Sequence, residues 1–114
     1  MNMKIDEVKS DGILLIGIEG RLDTTSYSLL ENRLIELIDS GQVRIIIDCS
    51  KMDYISSSGL RVFLLALKKI ILEKGKFILI NLQETIREIF EIAGFTTIFE
   101  IYGSMEEAKR AMEA

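Results

Sequence analysis

Four short apolar runs, "ILLIGIE", "VRIIIDCS", "KFILIN" and "TIFEIY", each precede a stretch of helical periodicity, and this alternation restricts the fold more than any other feature of the 114 residues. Such runs, rich in β-branched residues and too short for helices, read as strands. From Thr24 to Ser40 the apolar residues Leu30, Leu34, Leu37 and Ile38 recur at helical spacing, and Gly41 supplies a stop. A second helix starts near Ser57 or Ser58 and runs to about Glu73, with Phe63, Leu64, Leu67, Ile70 and Ile71 as its core stripe and Gly75 at its end. "QETIREIFEIAG" is a third, with Ile86, Ile89, Phe90 and Ala93 on one face. Ser104 and Glu107 form a capping box for the last, "MEEAKRAMEA". Ahead of this series "MKIDEV" alternates apolar and polar, and Ser10, Asp11 and Gly12 turn it back on the next strand. "KMDYISSSG" reads as a loop. The expectation is one α/β domain over residues 1–114: an N-terminal antiparallel strand, then four βα units forming a mainly parallel sheet with packed helices. Sites in such sheets lie at the carboxyl ends of strands. "GRLDTTS" and the serine loop occupy two of those ends.

Composition removes several functional classes. The chain has no histidine, so it has no Ser–His or Cys–His nucleophile, no imidazole base and no His metal ligand. Its one cysteine, Cys49, allows no intrachain disulfide or Cys-rich zinc site, and beside "RIIID" it reads as a small buried residue. No P-loop, dinucleotide fingerprint or G-x-S-x-G elbow is present. A Ser–Lys pair would have to reach from Ser57 to Lys68 or Lys69, roughly 16 Å along a helix. Asp48 and Asp53 are ordinary strand-end and turn residues. No catalysis, metal or cofactor is therefore expected. A net charge of −4 without a basic block argues against nucleic acid. The apolar runs are too short for membrane insertion, and "MNMKIDEVKS" lacks the hydrophobic core of a secretory signal. The expected location is cytoplasmic.

The remaining feature is "DYISSSGLRVFL", residues 53–64. A serine before a helix caps an orphan N–H, worth about 1 kcal/mol against alanine. A second serine can close a turn. The same helix start offers free N–H groups and a partial positive charge, which suit a phosphate. Phosphorylation there would add roughly −1.5 to −2 charges, and Arg61, four residues after Ser57, stands one turn along to pair with them. Capping and modification are both consistent with these residue types.

"IIIDCSKMDYISSSGLRVFL" resembles the central signature of STAS domains, specifically of bacterial anti-sigma factor antagonists. Asp48 and Ser50 match its Asp-x-Ser; Ser57, Gly59 and Leu60 match its second part. "GRLDTTS" is similar to the family's Gly-x-Leu/Ile-Asp turn through Gly20, Leu22 and Asp23, and "REIFEIAGFTTIFEIYGSMEEA" resembles its tail. The likeness spans the chain and implies a STAS-type fold. It also implies binding to an anti-sigma factor that is a serine kinase, phosphorylation of Ser57, release of the partner and resetting by a serine phosphatase. By the same resemblance Asp23, Thr24, Ser56, Ser58, Gly59 and Arg61 would lie about the partner-binding surface, with Ser58 and Gly59 helping to form the helix start. Many members carry Asp where this chain has Ser56, which leaves Ser56 and Ser58 as competing acceptors. The alternative is an unphosphorylated STAS scaffold subunit of a transporter or signalling complex.

Overall fold

The computed structural model describes residues 3–113. Strand β1 (Met3–Ser10) turns at Asp11 and Gly12 into β2 (Ile13–Leu22), which leads to α1 (Tyr27–Asp39). Then come β3 (Arg44–Ile55), α2 (Ser57–Leu72), β4 (Lys76–Ile80), α3 (Glu84–Ile92), a 3₁₀ turn (Phe95–Thr97), β5 (Glu100–Tyr102) and α4 (Met105–Glu113). The sheet order is β1-β2-β3-β4-β5, antiparallel between β1 and β2 and parallel elsewhere. Both turn residues between β1 and β2 have positive φ, 54° at Asp11 and 78° at Gly12. A two-residue hairpin turn of the primed type needs this, and Asp-Gly favours it.

Right-handed crossovers that each step one strand along place successive helices on the same face. Accordingly α1, α2 and α3 cover one side, where Ile16, Ile45, Ile47, Phe63, Phe77 and Phe90 are buried together. Alternate strand residues face the other way: Ile13, Ile46, Ile78 and Ile80 pack under Ala108 and Met112 of α4. The side with three helices is pinned by aromatic rings. All five phenylalanines join one network, with centroid separations from 5.5 Å for Phe95–Phe99 to 6.3 Å for Phe63–Phe77.

The structure revises several expectations. "KMDYI" is not a loop, because β3 continues to Ile55 by pairing Lys51, Met52, Tyr54 and Ile55 with Glu19, Gly20, Arg21 and Leu22. "TIFEIY" is strand only over its last three residues, since Phe95–Thr97 coil into the 3₁₀ turn that aims Phe95 and Phe99 at Phe90. Helix α1 begins at Tyr27, three residues later than expected, because Asp23 to Ser26 form a turn of their own. Ile71 faces solvent instead of the core, and Ala93 is exposed. Helix α2 does stop ahead of Gly75, whose N–H bonds to Ile70 O at 2.9 Å, but the left-handed residue of that stop is Lys74, at φ 60°. Glycine is needed at 75 because a Cβ there would lie 2.0 Å from the Val43 carbonyl oxygen. The final helix is seen to Glu113; Ala114, its expected last residue, lies outside the described residues. Cys49 is fully buried as expected, and burial, reinforced by the negative Asp48 beside it, pushes its thiol far above the reactive range.

The edge strand β1 is tied to α1 by one ion pair. Glu7 accepts from both Nε and Nη2 of Arg33, the latter at 2.7 Å, and Arg33 also reaches Glu36. Hydrogen bonding from Arg33 holds the Glu7 carboxyl below its ordinary value of 4.5 despite opposing desolvation. A depressed carboxylate contributes stability above its unfolded pKa and loses it as pH falls through the folded one. Glu7→Gln is therefore expected to cost up to about 1 kcal/mol at pH 7, since the pair is partly exposed and screened. The melting temperatures of wild type and variant should converge as pH drops below 4.5. A gap that persists undiminished into that range would rule out the ion pair as its source.

Candidate functional site

The carboxyl ends of β2 and β3 lie side by side, and a backbone hydrogen bond from Ser56 N to Leu22 O, 2.9 Å, fastens one to the other. The Asp23 turn and the start of α2 thus form one surface. They are 33 residues apart in sequence at Asp23 and Ser56 (56 less 23) and are joined by the parallel ladder.

On the β2 side, Asp23 organises the turn. Its Oδ1 accepts from the Thr25 backbone N–H at 2.9 Å and from the Thr25 hydroxyl at 2.7 Å. The Asp23 carbonyl receives the N–H groups of Ser26 and Tyr27. Ser26 is buried beneath; its hydroxyl donates to Arg21 O at 2.6 Å and accepts from Asp23 N at 3.0 Å. The two bonds from Thr25, and after them a weaker one from Arg21 Nε to Oδ2, outweigh desolvation and keep the Asp23 carboxyl below its ordinary value of 3.8, so it is ionised at neutral pH. Thr24 is exposed at the tip.

On the β3 side, the three serines separate by environment. Ser56 caps α2: its backbone is extended, at φ −94° and ψ 173°, and its hydroxyl accepts from Gly59 N at 3.2 Å. Ser57 is the first helical residue and is exposed, while Ser58 is partly buried. The cap is Ser56, the last residue with extended backbone, while Ser58 and Gly59, expected to help form the helix start, fall in the first turn, where Gly59 donates the capping hydrogen bond. An acid at position 56 could make the same bond, so serine keeps the cap while leaving out its charge. Gly59 lies beneath the surface and not on it. A Cβ there would stand 2.8 Å from Leu22 Cγ and 2.9 Å from Ile55 Cγ1, so glycine lets the first turn of α2 settle on the ends of both strands. Arg61 is exposed one turn beyond Ser57.

Two contributors escape local sequence reading. The Arg21 guanidinium sits 4.1 Å over the Tyr54 ring, and its Nε lies 3.4 Å from Asp23 Oδ2. This cation–π contact bridges the two strands at their carboxyl ends, on the face of the sheet turned away from Leu22, Ile55 and α2. The sole hint in the sequence is a tyrosine just ahead of the serines; only the register Arg21↔Tyr54 makes it informative. Asp48 and Ser50 lie elsewhere, on the α4 side, lining a cavity of about 250 Å³ with Asp6, Gly17, Ile18, Glu19 and Lys51. Asp48 accepts from Ser50 N at 3.0 Å, and Gln83 donates to Ser50 O at 3.0 Å, which tethers the exit of β4 to β3. Among the described residues, no group of three His, Cys, Asp or Glu side chains is arranged to hold a metal ion. Nor is any helix long and apolar enough to cross a membrane.

The STAS domain model matches residues 4–108. A Bordetella bronchiseptica protein named as an anti-sigma factor antagonist, BtrV, is 38% identical over 111 residues, covering 97% of this chain and 96% of its own length. The anti-sigma-B factor antagonist of Bacillus subtilis is 31% identical over 108 residues, covering 93% and 96%. Among solved structures, an anti-sigma factor antagonist of Thermotoga maritima superposes with a TM-score of 0.93 at 20% identity, covering 96% of this chain and 95% of that one. The phosphorylated form of SpoIIAA, a cell fate determinant of Bacillus, superposes at 0.74 and 21% identity, covering 96% and 97%.

Proposed function

The chain belongs to the STAS domain family, and on that premise we propose that it is an anti-sigma factor antagonist whose docking surface is switched by phosphorylation of Ser57. The partner is an anti-sigma factor that is also a serine kinase, and a serine phosphatase restores the binding state. The relatives named as anti-sigma factor antagonists support the first part.

The observation that carries the switch is the division of labour among the serines. Ser56 spends its oxygen on the cap and Ser58 is half withdrawn, whereas Ser57 is exposed at the first residue of α2. A phosphate on Ser57 meets the partial positive charge of the helix start, and the Arg61 side chain lies within one turn. The modification then costs the fold little. It converts a neutral surface into one carrying close to two negative charges at pH 7. Asp23, already ionised, stands on the adjoining turn and concentrates that charge. A partner that fits the hydroxyl loses the fit to the phosphate.

Incubation with the anti-sigma kinase and ATP should add one phosphate, located at Ser57 by mass spectrometry of peptides. By calorimetric titration, Ser57→Asp should bind the unreacted anti-sigma factor roughly tenfold or more weakly, about 1.4 kcal/mol. Ser57→Ala should bind as wild type and resist ATP-driven release. Wild-type affinity in Ser57→Asp would defeat the gating. Tight binding with no phosphate in protein taken from its own host would favour the scaffold role instead.

A further inference from the structure

Helix α2 turns a second face outward, and that face is unusual. Arg61, Leu65, Lys68, Ile71 and Leu72 fall within one stripe, about a third of the helix circumference, that begins at Ser57 and runs roughly 22 Å to the far end. Leu72 is 80% exposed and Ile71 60%, so the apolar end is open to water. A solvated stripe ordinarily mixes charges of both signs with polar residues. This one has large aliphatics and two cations, and α2 contains no acid from Ser57 to Leu72. The ion pairs among the described residues leave out both Arg61 and Lys68; Lys69 is engaged by Asp39 on the α1 side, 3.2 Å away.

We infer that this stripe is the long arm of the docking surface and that the anti-sigma factor covers it with an apolar, acidic face. The inference rests on the reading of Ser57 above and extends it. Two observations select this occupant. The stripe is continuous with Ser57, so one partner can touch both ends. Arg61 and Lys68 stand among the exposed aliphatics without an ion-pair partner among the described residues, so the face that complements the stripe is apolar and brings carboxylates of its own. An acidic partner is also the one that a phosphate expels most effectively. The new charge sits at the head of the stripe, engages Arg61 and opposes the partner's carboxylates.

The test uses the full chain and the purified anti-sigma factor of the source bacterium. Leu72→Glu should bind at least roughly tenfold more weakly than wild type. Leu72→Lys should bind at least threefold more tightly than Leu72→Glu, roughly 0.65 kcal/mol. Both should keep the wild-type melting temperature and still be phosphorylated at Ser57. If wild type binds and Leu72→Glu matches it, the long arm is overturned while the Ser57 switch stands. Equal losses for glutamate and lysine would overturn the acidic character of the partner face. A dimer that dissociates in Leu72→Glu during sedimentation, or flotation with phosphatidylglycerol vesicles lost in that variant, would overturn the inference in favour of those occupants. Failure of wild type to bind the anti-sigma factor at all would remove both this inference and the function it extends.

Discussion

Replacing Phe90 by alanine is expected to destabilise the domain by about 3–5 kcal/mol, the range for truncating a fully buried aromatic ring. Phe90 is fully buried, and its ring centroid lies 6.1 Å from that of Phe63, 6.0 Å from Phe95 and 5.9 Å from Phe99. It is the point at which α3, the 3₁₀ turn and the core of α2 meet. Helix α3 buries only Ile86 and Phe90, so removing the ring takes away most of what holds it to the sheet. The loss combines the transfer energy of the ring, its edge-to-face contacts and the cavity left among side chains that cannot all close in. For a domain of this size it amounts to a fall of roughly 12–20 °C in melting temperature. Hydrogen exchange should show α3 losing protection ahead of β3. A fall below about 4 °C would mean that the neighbours refill the space and that the aromatic network is not the keystone of this layer.

Gly59→Val should be the next largest, at about 3 kcal/mol, the upper end for overpacking. The first added carbon already falls within 3 Å of Leu22 and Ile55, both buried, and two methyl groups follow it. Neither neighbour can swing into solvent, so the start of α2 must lift. Lifting it strains the bond from Ser56 N to Leu22 O and moves Ser57 relative to the Asp23 turn. Partner binding should therefore weaken along with stability, measured by chemical denaturation and titration. Ser57→Val, two residues away but exposed, should change stability by less than about 0.5 kcal/mol. Equal effects at 57 and 59 would show that the close approach at Gly59 is not what fixes the helix start.

The contrast between these two positions measures what local sequence reveals. "SSSG" announces a helix start, and Gly59 is readable as a member of a motif. Nothing local distinguishes a glycine that faces a partner from one pressed between two strand ends. Likewise the capping serine could not be chosen among three neighbours of the same chemistry until the backbone at Ser56 was known to be extended. Ile71 joined the expected core stripe because apolar residues at helical spacing look alike in sequence; its exposure follows from where α2 rests on the sheet.

By itself the sequence determined the alternation of elements, the Asp-Gly hairpin, the helix-terminating regions and the absence of histidine chemistry. Each of these is set by dihedral preferences and side-chain types within a few residues. The tertiary structure decided what depends on pairing between distant segments. The extension of β3 through Lys51–Ile55 exists because β2 supplies a partner strand, although its residues are polar enough to read as loop. The shortening of β5 to three residues follows from the demand of Phe95 and Phe99 for places beside Phe90. The meeting of Arg21, Asp23 and Tyr54 at the carboxyl ends of β2 and β3 is set by strand register, a relation between segments some thirty residues apart that no local window contains.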